Sequence, residues 1–340
     1  MSVVTHEAVA PSEPITGNSR SNIVDIVKGL AISLMTYGHT AQGLNNRGWW
    51  GGAGYLFSNG FIYSFHMPAF FFVSGLFVMS SIKRRGVQNF TVEKLKTILY
   101  PYFLWAILYA VLEPVITQFK QSHHPFHAKM FVISLFEGEQ GWFLFTLFMC
   151  LMLAVLTRKL PAWLRFVLAV AVAMLTPVGV VFGTVIHEFC FMAAGMWVGT
   201  RIHVLDRIHA RTAALILLAL TAFQAAMILR FGGANLWNYI LLGLTGTAGL
   251  CMLARLIDMT KIGDGFAWVG RASLGVFLIG AFVQGTAREI LLRVFHTREL
   301  WLQLFVPAIA STIIPAIIWY QQDRLRLGWL FHWPSRKTPL

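Results

Sequence analysis

The sequence predicts an all-α integral membrane protein, a bundle of about ten transmembrane helices, and three observations support this fold class. Of the 340 residues, 57% are hydrophobic and only 12% are charged, whereas soluble domains carry roughly 25% charged residues. Apolar runs of membrane-spanning length recur along the chain, and Lys and Arg gather in short clusters between them. The mean hydropathy is +0.65. A soluble fold of this composition would leave large apolar areas facing water.

Ten segments are apolar enough to be assigned as spans, with tilted or interfacial ends where a run exceeds about 20 residues. They cover residues 23–45, 55–81, 97–118, 130–157, 164–183, 185–200, 212–231, 237–257, 270–290 and 301–322. Residues 1–19 are polar and contain Pro11 and Pro14, which predicts a disordered cytoplasmic tail and not a signal peptide. One transmembrane domain then covers residues 20–322, and residues 323–340 are predicted to form a second cytoplasmic tail.

The distribution of positive charge predicts the orientation of the spans. With ten spans, 20 of the 27 Lys and Arg residues fall on the side that holds both termini. Because cytoplasmic loops are enriched in Lys and Arg, both termini are predicted to be cytoplasmic, in a cell (inner) membrane. This topology accounts for the net charge of +13. The sequence has no basic stripe interleaved with aromatic residues, the pattern that would indicate nucleic-acid binding.

Cysteine spacing gives no sign of redox or metal chemistry. Cys150, Cys190 and Cys251 fall inside predicted spans and far from one another, so we interpret them as small packing residues. A polar outer loop contains three histidines, for which a metal site is the less favoured interpretation: His123, His124 and His127. No metal is therefore predicted.

The first span carries ionisable residues, which are expensive inside a bilayer and need a reason to be there. Asp25 and Lys28 are three residues apart on one helix face. His39 lies 14 residues after Asp25, about 21 Å along a helix. The acid–base pair is thus predicted at the cytoplasmic end of the span and the histidine in its outer part. The pair is either an ion pair at the helix end or a ligand-binding group.

The second span places His66 two residues before Pro68, inside an aromatic run. The proline is expected to kink the helix and free a backbone carbonyl that a pocket can use. His66 lies about 15 Å from the outer start of its span, a depth comparable to that of His39. Each histidine alone is more simply a buried polar group bonded to a neighbouring helix. Because two histidines lie at similar depth on consecutive spans, a reactive site and this simpler interpretation are equally well supported.

Three further ionisable residues fall near the outer face, where we expect water at the membrane interface to solvate them. They are Glu113, His187 and Glu188.

Several motifs together resemble the membrane-bound acyltransferase 3 family, in the branch that resembles fucose 4-O-acetylases. The first two are DIVKG at residues 25–29 with Gly38-His39, and FHMPAFFFVSG at residues 65–75. Later landmarks are Pro101-Tyr102 with Trp105, Trp142-Phe143-Leu144, and GRASLGVFL at residues 270–278. The resemblance covers residues 20 to about 322. One departure is Gly280, near which family members often have a histidine.

The resemblance implies about ten spans and O-acylation of a hydroxyl with cytoplasmic acyl-CoA, commonly acetyl-CoA, as co-substrate. The acceptor would be a sugar, a glycan or a lipid-linked sugar; the acceptor's identity and the oligomeric state stay open. The donor's phosphates favour cations and helix N-termini. Candidate donor-binding residues are Asp25, Lys28, Lys83, Arg84, Arg85, Arg271 and Ser273. The basic run at residues 83–85 is equally well explained as a topology signal.

Acyl transfer from a thioester to a hydroxyl needs a base beside that hydroxyl and a site that excludes water. Histidine suits the first requirement because it titrates near neutral pH, and the aromatic residues around His66 suit the second. We therefore predict His39 as the general base and His66 as a second base or an orienter of the acyl carbonyl. The rival interpretation is a secondary transporter or flippase whose histidines couple to protons. A third is a lipid-binding subunit without catalysis.

Overall fold

The computed structural model describes residues 22–117, 141–177, 181–233 and 238–334. Within these ranges the regular structure is helical and contains no strand, which confirms the all-α prediction. The predicted tail at residues 1–19, the loop histidines at 123, 124 and 127, and residues 335–340 lie outside the described ranges.

Thirteen α-helices are described, and they are numbered here in chain order. They are α1 (Asn22–Asn46), α2 (Gly52–Tyr63), α3 (His66–Arg85), α4 (Val87–Lys94), α5 (Tyr100–Thr117), α6 (Trp142–Leu156), α7 (Ala162–Leu175), α8 (Val181–Val198), α9 (Ala210–Phe231), α10 (Tyr239–Ile257), α11 (Lys261–Arg271), α12 (Ser273–Arg293) and α13 (Leu300–Gln321). A π-helical turn, Leu95–Leu99, joins α4 to α5, and 3-10 turns occupy Gly199–Arg207 and Gly328–Leu330.

Length and composition identify the protein as an integral membrane protein. In the described part, six helical segments are long and apolar enough to cross a membrane. They are Gly52–Arg85, Val87–Leu112, Ala210–Phe231, Tyr239–Ile257, Ser273–Arg293 and Leu300–Gln321. The shorter apolar helices are Trp142–Leu156, Ala162–Leu175 and Gly183–Val198. Exposed leucines such as Leu215, Leu218 and Leu229 cover α9, as expected of a surface that faces lipid.

One of the predicted spans is built from two helices instead of the single helix expected, and another is preceded by a short helix. Residues 55–81 form α2 and α3, separated by a break at Ser64-Phe65. The span predicted at 270–290 is α12, and the short helix α11 precedes it, with only Ala272 between the two. Pro68 lies in the first turn of α3, where a missing N–H is tolerated, and this explains why a new helix begins just before it.

Helix α1 lies at the centre of the bundle, and 15 of its 25 residues are buried. Its neighbours include α2, α3, α10, α11, α12 and α13. Close approach of α1 to α11 requires Gly29 and Gly270, since a Cβ at either position would overlap backbone atoms of the other helix. The end of the bundle where α1 starts is called the Asn22 end, and the opposite end the Asn46 end.

The segment after α13 packs back onto the bundle. Phe331 is buried against Trp319, the Trp105 indole donates to the Leu330 carbonyl at 2.8 Å, and the Trp333 amide donates to the Lys96 carbonyl at 3.2 Å. The Lys96 carbonyl of the π-helical turn thus finds its hydrogen-bond donor in this segment. The part of the predicted C-terminal tail that is described is therefore packed at the Asn22 end. The three cysteines are buried, as expected of packing residues.

Helices α3 and α8 cross at paired glycines, which makes this crossing sensitive to a single methyl group. A Cβ at Gly75 would overlap the Met192 carbonyl, and one at Gly195 would overlap the Phe72 carbonyl. We expect Gly75→Ala to lower the free energy of unfolding by about 1–3 kcal/mol, because the helices must separate. Gly285→Ala in α12 is the control, since nothing lies within 4 Å of its Cβ position. Thermal unfolding in detergent measures both, and equal midpoints for the two variants would contradict the crossing.

Candidate active site

The break between α2 and α3 positions His66. Helix α2 ends at Tyr63 and α3 begins at His66, so the last carbonyls of α2 pair with groups of the break itself, such as the Phe65 amide on the Ile62 carbonyl at 3.3 Å. The His66 Nδ1 atom lies 2.8 Å from the Ile62 carbonyl oxygen, and the side chain is 1% exposed. Since a carbonyl only accepts, Nδ1 carries the proton in this bond. The neutral ring then has its lone pair on Nε2, the nitrogen suited to act as a base.

Tyr63 connects the two predicted histidines. The Tyr63 hydroxyl lies 3.4 Å from His39 Nδ1, and the Tyr63 ring meets the His66 ring edge-on with centroids 4.8 Å apart. The His39 and Tyr63 rings are also edge-on, at 6.1 Å. The structure therefore brings His39 and His66 together around one phenol. Sequence reasoning named both histidines but missed Tyr63, whose only signal is its place three residues before His66.

The surroundings of Tyr63 fix the tautomer of His39. The Tyr63 hydroxyl donates its single proton to Gln42 Oε1 at 2.9 Å. Its oxygen can therefore only accept from His39 Nδ1, which leaves the lone pair of that imidazole on Nε2 as well. Gly38 makes the arrangement possible, because a Cβ there would lie 2.9 Å from the Tyr63 ring. The Gly38-His39 pair of the first motif thus has a steric explanation.

A polar network from two other helices holds the break in place. The Gln224 amide of α9 donates to the Ser64 hydroxyl at 2.8 Å and to the Leu242 carbonyl at 3.2 Å. Thr245 of α10 donates to the Gln224 amide oxygen at 3.1 Å. Ser64 and Gln224 are buried, so the network has little solvent to compete with it. The position of His66 is therefore set by the packing of α9 and α10 as well as by its own helix.

Exposure separates the two imidazoles. His39 is exposed, whereas His66 is enclosed by the bundle. Phe61 and Phe65 are part of an aromatic series beside the break, with ring centroids 5.5 Å apart. The accessible imidazole is therefore His39, which contacts the Tyr63 phenol, and the buried His66 ring contacts the same phenol. With lone pairs on the Nε2 atoms, this arrangement can remove a proton from a hydroxyl.

Asp25 forms the centre of a second cluster, at the Asn22 end. Its carboxylate is 2.7 Å from Lys28 Nζ and 3.8 Å from an Arg271 guanidinium nitrogen. Asp25 is buried, Lys28 is partly buried and Arg271 is 45% exposed. The structure thus places three of the predicted donor-binding residues together, and the predicted ion pair of Asp25 with Lys28 is present.

The remaining predicted donor-binding residues lie at two other helix ends. Ser273 is the first residue of α12 and is half-buried, two residues after Arg271. The basic run Lys83, Arg84 and Arg85 forms the exposed last turn of α3, and Arg85 pairs with Glu93 of α4. Part of that run therefore fastens α3 to α4. The start of α12 adds a helix N-terminus, which favours anions, to the Asp25 cluster.

The expectation that His187 and Glu188 are solvated at the interface is wrong. Each is 2% exposed, in α8. The Tyr239 hydroxyl donates to Glu188 at 2.5 Å, and His187 Nδ1 donates to the Gly183 carbonyl at 2.7 Å. The error arises because α8 packs against α3 and α10 along this stretch, which a hydropathy profile does not reveal. The Glu113 side chain lies outside the described residues.

The fold and this site define a polytopic α-helical membrane protein with a histidine–tyrosine–histidine cluster between its helices. The chain matches the family model Acyl_transf_3, an acyltransferase domain, over residues 21–320. It therefore belongs to that family, and a membrane acyltransferase is the activity that the family indicates. None of the curated proteins and none of the solved structures matches the chain.

Proposed function

We propose that this protein is an integral-membrane O-acyltransferase that moves an acetyl group from cytoplasmic acetyl-CoA to a hydroxyl of a sugar or glycan. The observation that supports it most is the meeting of His39 and His66 around Tyr63, in a chain of an acyltransferase family. The resemblance to fucose 4-O-acetylases supports the choice of a sugar hydroxyl. A lipid-linked sugar meets the same chemical requirement.

In the proposed reaction, His39 Nε2 takes the proton of the acceptor hydroxyl as its oxygen attacks the thioester carbonyl. The C–S bond then breaks, CoA leaves as a thiolate, and the proton held by His39 passes to it. Tyr63 and Gln42 hold the His39 ring in the required tautomer. The His66 ring contacts the Tyr63 ring edge-on, and its Nε2 lone pair would serve as a second base. The alternative role, orienting the acyl carbonyl, would require a proton on Nε2 as well, because a carbonyl only accepts.

The proposed topology has ten passes with both termini in the cytoplasm. It combines the six long apolar segments, the three shorter apolar helices and α1. Because α1 lies at the centre of the bundle, it does not require a lipid-facing surface. Reporter fusions or cysteine labelling are expected to place residues 82–96 inside and residues 119–129 outside. External labelling of residues 82–96 in intact cells would refute this orientation.

The proposed donor site is the Asp25 cluster at the cytoplasmic Asn22 end. Arg271 and Lys28 would pair with the phosphates of acetyl-CoA, with Ser273 and the basic run at residues 83–85 beside them. Arg271→Ala is expected to raise the KM for acetyl-CoA by about tenfold, since one charge-assisted hydrogen bond contributes roughly 1.5–3 kcal/mol. Lys261→Ala, an exposed cation at the other end of α11, is the matched control. Equal KM values for both folded variants would place the donor elsewhere.

Release of CoA tests the proposed function directly. Membranes that contain the protein are incubated with acetyl-CoA labelled in the acetyl group, and free CoA and label in the carbohydrate fraction are measured. Transfer of label that depends on His39 is the expected result. A transporter or flippase would leave acetyl-CoA intact, as would a subunit that only binds lipid, so absence of CoA release in well-folded protein would refute the proposal.

A further inference from the structure

Arg288 is an ionisable residue near the candidate active site that the proposed reaction does not use. It lies in α12 and is 8% exposed, although it is charged. Its Nη2 atom donates to the Thr40 carbonyl of α1 at 3.1 Å. A buried charge in a membrane protein is costly and points to a functional role.

Gly43 provides the space for this guanidinium. A Cβ at Gly43 would lie 2.9 Å from Nη2 and 3.0 Å from Cζ of Arg288, so the guanidinium rests where a side chain of α1 would otherwise be. Gly43 is four residues after His39, hence on the same face of α1 and about 6 Å further along the helix. The guanidinium therefore lies about one helical turn beyond His39, towards the Asn46 end.

The neighbouring carboxylate is already engaged by other cations. Glu289 pairs with Arg47 at 3.4 Å and with Arg293 at 2.9 Å. Among the residues that the structure describes, Arg288 has no carboxylate partner, and its Nε atom is buried without a hydrogen-bond acceptor. Unpaired buried donors cost roughly 1–3 kcal/mol, and more when charged. The single bond to the Thr40 carbonyl leaves most of the five guanidinium N–H groups for another acceptor.

We propose that Arg288 binds an oxyanion, a phosphate or carboxylate group, on the acceptor sugar and so selects acidic or phosphorylated acceptors. A sugar ring is about as wide as the one helical turn that separates the guanidinium from His39. An anionic substituent held by Arg288 would therefore leave a hydroxyl of the same sugar within reach of the His39 ring. Only the identification of the occupant as the acceptor rests on the proposed function; the binding of an oxyanion does not.

Titration of purified protein in nanodiscs tests the inference without any turnover. The probes are inorganic phosphate, glucuronate and neutral glucose, added separately. Wild-type protein is expected to bind phosphate or glucuronate at least about tenfold more tightly than glucose, and the two anions show which oxyanion fits better. Arg288→Gln is expected to remove this preference. Arg293→Gln removes a positive charge from the same end of α12 and is expected to preserve it.

Two further variants cover the case in which Arg288→Gln does not fold. Arg288→Lys keeps the charge but lacks the planar fork of donors, and Gly43→Ala fills the space beside the guanidinium, so both should weaken binding of the anion. Binding of both phosphate and glucuronate no tighter than that of glucose by the wild type, or undiminished anion binding by the folded Arg288 variants, would overturn the inference. Absence of CoA release with anion binding that depends on Arg288 would refute the proposed function and leave the oxyanion site at Arg288 standing.

Discussion

His39→Ala is expected to lower the turnover of acyl transfer by about 10²- to 10⁴-fold, the usual cost of losing a general base. The reason is specific to this ring: its Nδ1 is held by Tyr63, and Nε2 is the nitrogen that takes the acceptor's proton. The KM for acetyl-CoA should change little, because the proposed donor site at Asp25 is about 21 Å away along α1. Initial rates of CoA release from purified protein in proteoliposomes give both values.

A second histidine variant controls for the loss of an imidazole in general. His203 is exposed in the 3-10 turn at Gly199–Arg207 and lies outside the site. His203→Ala is therefore expected to keep the wild-type rate. A folded His39→Ala protein that also keeps this rate would show that His39 is a packing residue.

His66→Asn is expected to lower turnover as severely as His66→Ala, by about 10²- to 10⁴-fold, while preserving the fold far better. The asparagine amide can still donate to the Ile62 carbonyl in place of Nδ1, so the end of α2 stays paired. It has no counterpart to the Nε2 lone pair. His66→Ala loses both functions, leaves the Ile62 carbonyl without this donor and opens a cavity beside Tyr63.

The comparison of these two variants separates catalysis from structure. Rates of CoA release are measured together with thermal unfolding midpoints in the same detergent. A low rate for both variants, with a lowered midpoint only for His66→Ala, is the expected pattern. A wild-type rate for His66→Asn would assign His66 to packing alone.

Much of the fold was predictable because the bilayer imposes strong constraints on composition. The apolar runs predicted an all-α membrane protein, and the helices α9, α10 and α13 begin and end within a few residues of the predicted spans. The break at Ser64-Phe65 was expected only as a kink at Pro68, because a proline indicates an interruption without fixing its form. Its form depends on Gln224, which is distant in sequence.

The sequence predicted the two histidines of the candidate site but not Tyr63, the residue that connects them. His39 and His66 stood out because ionisable residues are rare in spans. Tyr63 did not, since a tyrosine in an aromatic segment carries no sign of its hydrogen bonds. The sequence does not single out Arg288, because its burial depends on the fit of its guanidinium against Gly43. Hydropathy and residue spacing do not reveal tertiary contacts of this kind.

The most direct test of a joint site at His39 and His66 is a double-mutant cycle on the rate of CoA release, using His39→Ala, His66→Asn and the double variant. Residues that act as one unit have strongly non-additive effects on catalysis. If His39 and His66 share a single catalytic site around Tyr63, the double variant should be only slightly slower than the slower single variant. Fold-losses that multiply would show two independent contributions and would contradict a joint site.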